Sequence, residues 1–400
     1  MTSKLFRFIV LFSVVTLVAC KAALSPEWTL FYTHAKNDET RLEWLSNVAV
    51  DAFGDLLSAG ETIQTGSNRQ QNVLLVKHDS AGNLIWATEY DFAQGAYRSD
   101  DKTTDMALDS DGNAYLTGVQ YIVENEVQRY GSFLLKVDRF GEVLWVQSIS
   151  DKEDARDVEV VNGKVYVTGH ATQVFDIDGA RLLNIPHPEA KAWDVEVDDL
   201  GNIFVVGYAA ATKYSAEGVR QWSVAQPEGL SHQASVAVNH DGSLTIAHTT
   251  STNAVRIAGI TANGTASWDK TYLPPQQSYG LPGHALVKAD WRGDIMLAVS
   301  NDKGRRLVKL SSSGQQQWQA TSSGIVKDFT IGSDGAVYVV GGGSNEKYDA
   351  NGNFIAEATV SPTTQITTGA IALDGNDIYV GYSANNSGGF QFFLSKYIDQ

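Results

Sequence analysis

The chain has 400 residues, with 46 acidic against 30 basic side chains, and its formal charge of -16 repels a phosphate backbone and argues against nucleic acid as a partner. A single cysteine, Cys20, excludes an intramolecular disulfide and any cysteine-built metal site. Nine Trp, sixteen Tyr and fifteen Phe supply a core, and 36 Gly against 8 Pro point to many tight turns, not to a Pro-rich disordered chain.

The chain opens with Lys4 and Arg7 and continues, over 8–19, with an almost wholly apolar run. That run is too short for a permanent membrane span and fits the hydrophobic part of a secretory signal. It ends in Leu17-Val18-Ala19-Cys20, which resembles the bacterial lipobox, where the bond before Cys is cut and the new N-terminal Cys carries lipid. The resemblance implies a lipoprotein signal peptide over 1–19, palmitate and other acyl chains on Cys20, and a short tether over 20–25. Several acyl chains on one residue hold a protein on a membrane far better than one. Residue 21 is Lys, not the Asp that favours inner-membrane retention among lipoproteins, so the resemblance points to the outer membrane, on its periplasmic or its outer surface.

From residue 26 to the end one unit recurs. Its first hairpin is written most fully at Asp105-Met-Ala-Leu-Asp-Ser-Asp-Gly112-Asn-Ala-Tyr-Leu-Thr-Gly118, and copies lie at 48–57, 106–116, 158–167, 195–205, 236–246, 286–297, 329–339 and 371–380. Apolar residues alternate with small or polar ones, which is strand period, and the Asp/Asn/Gly turns are those of short hairpins. A second hairpin type lies between the copies, at 74–86, 134–145, 173–183, 212–222, 255–268, 307–318 and 346–355. In five of these a turn Gly precedes a Trp by four residues: Gly82/Trp86, Gly141/Trp145, Gly218/Trp222, Gly264/Trp268 and Gly314/Trp318. The third copy has Leu183 in that place and the seventh has Ala356. A large aromatic at a fixed place in an outer strand suits units that bury their faces on one another. The eighth copy stops after its third strand, and its missing fourth is found at the front, where Glu27-Trp28-Thr-Leu-Phe-Tyr32 reads like Ile85-Trp86-Ala-Thr-Glu-Tyr90. The expectation is an all-β, eight-bladed β-propeller over 26–400, closed by an N-terminal strand that removes exposed sheet edges. A seven-bladed ring with one irregular blade is the structural alternative.

These two hairpins resemble the SBBP-type bacterial β-propeller repeats over nearly all of the mature chain. The layout of lipobox plus eight blades is also similar to the propeller lipoprotein of the outer-membrane β-barrel assembly machinery. The Gly-x-x-x-Trp strand is similar to the tryptophan-docking repeats of quinoprotein dehydrogenases, although the adjacent-Cys pair of many such enzymes is impossible here. Shared fold does not carry function.

In a propeller the fourth-to-first and second-to-third connections share one face, and the long ones here fall at 34–46, 61–72, 90–104, 119–132 and 271–284. Loops on a rigid scaffold are where recognition usually sits. Arg41, Trp44, Tyr97, Arg98, Tyr121, Arg129, Tyr130, Trp193 and Tyr279 belong to that face, and Trp, Tyr and Arg dominate protein–protein hot spots and suit stacking on sugars. Asp105, Asp157, Asp194 and Asp328 each precede a first strand, where they would either ring the axis and hold a cation or accept a hydrogen bond from the next blade's backbone. His170, His232 and His284 would converge near the axis if this were a metal-dependent propeller enzyme. No zincin, nucleophile-elbow or P-loop motif is present, so no catalytic residue, metal or cofactor is assigned. The leading reading is a membrane-anchored, non-catalytic scaffold with an envelope protein as partner. A glycan or small-ligand module and a propeller enzyme with its site at the channel mouth are the alternatives.

Overall fold

The computed structural model describes residues 22–32, 41–64, 70–92, 99–124, 127–150, 152, 155–187, 191–207, 210–225, 234–249, 255–272, 285–301, 304–342, 344–359, 366–386 and 389–398. They form eight four-stranded antiparallel sheets, and no α-helix occurs among them. Blades 1 to 7 occupy 41–90, 102–150, 157–186, 192–225, 234–272, 285–322 and 325–359, each with its strands in chain order. Blade 8 takes three strands from 366–398 and its fourth from Trp28–Tyr32.

The ring closes in the expected register. Trp28 faces Lys396, and Phe31 faces Phe393. The same register recurs in blades 1, 2, 4 and 6, where Trp86, Trp145, Trp222 and Trp318 face Lys77, Lys136, Lys213 and Lys309. One apolar cluster sits at each of the eight blade interfaces. The closing cluster joins Leu45, Leu56 and Leu74 of blade 1 to Tyr379, Phe392 and Leu394 of blade 8. Both faces of a blade are therefore buried, and strand alternation decides which neighbour a side chain meets. Leu56 packs toward blade 8, whereas Leu57 and Ala59 pack toward blade 2.

The recurrent Trp is an inter-blade tie. Its indole N–H donates to a carbonyl in the outer hairpin turn of the next blade: Trp28 to Ser80, Trp86 to Arg139, Trp145 to Ile177, Trp222 to Ala262, Trp268 to Ser312 and Trp318 to Ala350, at 2.9–3.2 Å. The ring lies against that turn's glycine, so Gly82 covers Trp28 and Gly314 covers Trp268. Leu183 fills the place in blade 3 and meets Gly218 less closely.

The seventh blade gains a fifth strand. Ala22–Ala23 runs parallel to Phe354–Thr359, with Ala22 opposite Ala356 and Ala23 opposite Glu357. Leu24 then donates its N–H to the Glu357 carbonyl at 2.8 Å and packs on the blade 7–8 core. Among the described residues sheet structure first occurs at Ala22, and Cys20 lies outside them.

Candidate functional site

Two kinds of strand ending separate the faces. On one face, the hairpin turns joining strands 1–2 and 3–4 are short, and in most of them a carbonyl, most often of an Asp or Asn, accepts the N–H of a left-handed Gly three residues on. At Asp109, Oδ1 accepts the N–H groups of Asp111 and Asn113, and Oδ2 takes the Asn113 amide and the Tyr115 hydroxyl.

The opposite face is uneven. The second strands of blades 8, 1 and 2 are 10, 9 and 11 residues long, against 5 to 7 in blades 3 to 7. Three or four extra residues raise a hairpin by roughly 10 Å or more. The blade 2 hairpin is paired up to Glu124 opposite Val127. A short strand, Ser99–Asp100, lies parallel on the third strand of blade 1 and fixes the connection between blades 1 and 2. Asp101, fully buried below it, accepts the N–H of Tyr121 at 2.7 Å and of Phe92 at 3.1 Å. Glu61 accepts the N–H of Thr103 at 3.0 Å. Burial drives both carboxyls upward against those hydrogen bonds, Asp101 to about 7 and Glu61 to about 8.

The structure brings three of the expected residues together. Tyr121, Arg129 and Tyr130 lie on the raised hairpin of blade 2, with the two tyrosine rings edge-on at 5.2 Å. Tyr121 is buried and builds the hairpin's base, Arg129 is exposed, and the half-buried Tyr130 donates its hydroxyl to Asp100 at 2.9 Å. Trp44 is half-buried opposite Glu61 in blade 1, and Arg41 pairs through its backbone with Gln64. Trp193 stands apart in blade 4, its ring under the Arg156 guanidinium at 4.7 Å. Tyr97, Arg98 and Tyr279 lie outside the described residues. Sequence reasoning missed Glu61, Asp100, Asp101 and Arg156, because single acids and a lone Arg between strands carry no pattern until register places them.

Around the axis, the four aspartates choose the structural alternative. Asp105, Asp157, Asp194 and Asp328 accept the backbone N–H of Val158, Val195, Val236 and Ile371 in the next blade, at 2.7–3.1 Å. Ser235 takes the same place in blade 5, at 3.4 Å from the Val287 nitrogen. Burial first, and then the neighbouring carboxylates, push Asp105 and Asp157 well above the usual range. The same two causes lift Asp194 to about 7 and Glu159 to about 9. Burial lifts Glu196 to about 7 against the pull of Lys288.

Unfolded carboxyls titrate near about 4, so between pH 7 and pH 9 the folded chain holds protons that the unfolded chain has lost. The stability these acids contribute is complete below pH 4 and is lost as pH rises through their folded values. The buried His78 and His248 and the half-buried His187, lowered by desolvation to about 4, are largely neutral in both states above pH 7 and do not mask the trend. The thermal midpoint is therefore expected to fall from pH 7 to pH 9. Asp157→Asn, which keeps an oxygen for the Val195 N–H, should narrow that fall in calorimetry at the two pH values.

Of the three histidines expected near the axis, His232 and His284 lie outside the described residues, and the His170 carbonyl accepts the His187 N–H at 2.9 Å. No group of three or more His, Cys, Asp or Glu side chains suited to a metal occurs among the described residues. A cleft of about 510 Å³ opens between blades 4 and 5, lined by Glu196, Asp198, Asp199, Lys213, His240 and Asp241 among others.

No family model matches the chain, and no curated protein matches it. Solved structures do. The propeller of Dos1 superposes with a TM-score of 0.62 at 11% identity, over 94% of this chain and 95% of that one. BamB from Moraxella catarrhalis gives 0.56 at 14% identity, over 93% and 98%. At such identity the likeness is one of fold, and the chain is similar to both as a β-propeller that spans nearly the whole of each.

Proposed function

We propose that the chain is a lipid-anchored β-propeller scaffold of the bacterial cell envelope, held on the outer membrane through Cys20 and docking an envelope protein on its uneven loop face. The observation that carries the docking surface is the set of raised hairpins over blades 8, 1 and 2, with Arg129 and Tyr130 displayed on the one in blade 2. In blades 1 and 2 the hairpin bases are fixed by Asp100, Asp101 and Glu61, so a partner would bind there without the cost of ordering those bases. Arg and Tyr on a raised, rigid platform are what a protein hot spot is made of. The Leu-Val-Ala-Cys20 run supports the anchor, and Lys21 supports the outer membrane.

Alanine at Tyr97, Arg98, Arg129 and Tyr130 together, with affinity capture from cross-linked envelopes, tests the docking surface. The substituted protein is expected to lose at least one envelope protein that the wild type captures. An unchanged captured set would refute docking at these loops.

A further inference from the structure

The start of the described chain says which way the wheel faces. Ala22–Ala23 is parallel to Phe354–Thr359, a fourth strand that leaves the Asp349–Gly352 hairpin turn and runs toward the loop face. Within this pairing Ala22 lies nearer the hairpin-turn face than Ala23 does. A lipid on residue 20 would be joined to the wheel by two residues, a reach of at most ~7 Å. So short a link would bring the hairpin-turn rim of blade 7 to the membrane surface.

The same face displays large apolar side chains at its turn tips. Phe53 of blade 1, Phe140 of blade 2, Leu200 of blade 4 and Trp291 of blade 6 are each more than half exposed, and each sits one or two residues before the turn glycine. Arg139 lies over the rings of both Phe53 and Phe140, at 5.2 and 4.7 Å, and Arg292 lies over Trp291 at 4.6 Å. Aromatic rings with an Arg head beside them suit the headgroup level of a bilayer. Many of the turn aspartates, Asp51, Asp138, Asp198 and Asp290 among them, spend a carboxyl oxygen on turn N–H groups. A chain of net charge -16 is not drawn to an anionic surface, so the lipid this face suits is zwitterionic.

We infer that the propeller lies with its hairpin-turn face on the bilayer, the apolar turn tips at the headgroups, and its loop face directed away from the membrane toward a partner. The inference rests on the anchoring reading above and adds an orientation to it. Blade 7 sets the anchor, and Phe140 and Leu200 stand three blades away from it on either side, so both reach the surface only if the wheel lies flat.

The test uses the full processed and lipidated protein in phosphatidylethanolamine–phosphatidylcholine vesicles. Cys20 is consumed by lipid, so a single introduced cysteine is labelled without background. Environment-sensitive labels go on F140C and L200C at the turn tips and on V127C, an exposed loop-face position. A lipid-borne quencher is expected to remove most of the emission at 140 and 200 and none at 127. Quenching at 127, or none at 140 and 200 while the protein still floats with the vesicles, overturns the orientation and leaves the anchor standing. A mass spectrum showing no lipid on the Cys20 peptide removes the anchor, and the orientation falls with it.

Discussion

Glu346→Ala is expected to lower the stability of the wheel by about 3–5 kcal/mol, because it strands a buried guanidinium. Arg305 is the largest fully buried side chain of the described residues, and Glu346 meets it at 3.1 Å. Arg305 lies on Gly304–Leu310 of blade 6 and Glu346 on Ser344–Tyr348 of blade 7, so the pair crosses a blade interface. Its surroundings are polar and, apart from Arg305 Nη1, satisfied. Arg305 Nε donates to Ser322 Oγ at 2.8 Å, Nη2 donates to the Ser344 carbonyl and hydroxyl, and Glu346 Oε2 accepts from Ser322 and Tyr348. Taking both ions out of water costs much of what their attraction returns. The pair as a whole is therefore worth far less than the loss of one partner suggests. The double variant R305M/E346M should recover most of the stability lost by E346A, leaving a deficit of about 1 kcal/mol or less. Urea denaturation followed by tryptophan fluorescence reads the three midpoints. A double variant as unstable as the single one would mean that the polar network, not the stranded charge, holds blades 6 and 7 together.

That network was invisible in the sequence, and its invisibility is instructive beside what was legible. Blade number and ring closure could be read because each rests on a repeated local pattern: strand alternation, an Asx–Gly turn, and Trp four residues after a turn glycine. Trp28 could be matched to Trp86 before any strand was placed, and both prove to face a Lys of the neighbouring strand. Arg305 and Glu346 are 41 residues apart, in strands of different blades, and nothing local marks them as partners. Two-residue strands such as Ala22–Ala23 and Ser99–Asp100 have no periodicity to detect. One hint did exist. Ala356 breaks the Trp pattern in blade 7, and it is against this small residue that Ala22 pairs. The loop-face site was legible in residue types only, since Tyr121 and Tyr130 look alike in sequence while one is buried and the other is tied to Asp100 at the surface.

Gly314→Ala should cost about 2–5 kcal/mol, clearly more than Gly163→Ala, although both glycines have nearly the same backbone, with φ of 76° and 71°. At Gly163 a new methyl group meets nothing within 4 Å, so only the left-handed strain remains, about 1–2 kcal/mol. At Gly314 the same methyl would come within 2.4 Å of the Trp268 ring. The indole has to move, and in moving it gives up its hydrogen bond to the Ser312 carbonyl and its packing between blades 5 and 6. Blade 3 shows how the clash is avoided, since Leu183 under Gly218 leaves 3.5 Å to the corresponding methyl position. In a Trp268→Leu background, Gly314→Ala should therefore cost little more than Gly163→Ala does in the wild type. The four midpoints of that cycle separate the two terms. A full penalty at Gly314 after the ring is gone would place the cost in the turn itself, and the Trp–Gly contact would then not be what fixes the angle between neighbouring blades.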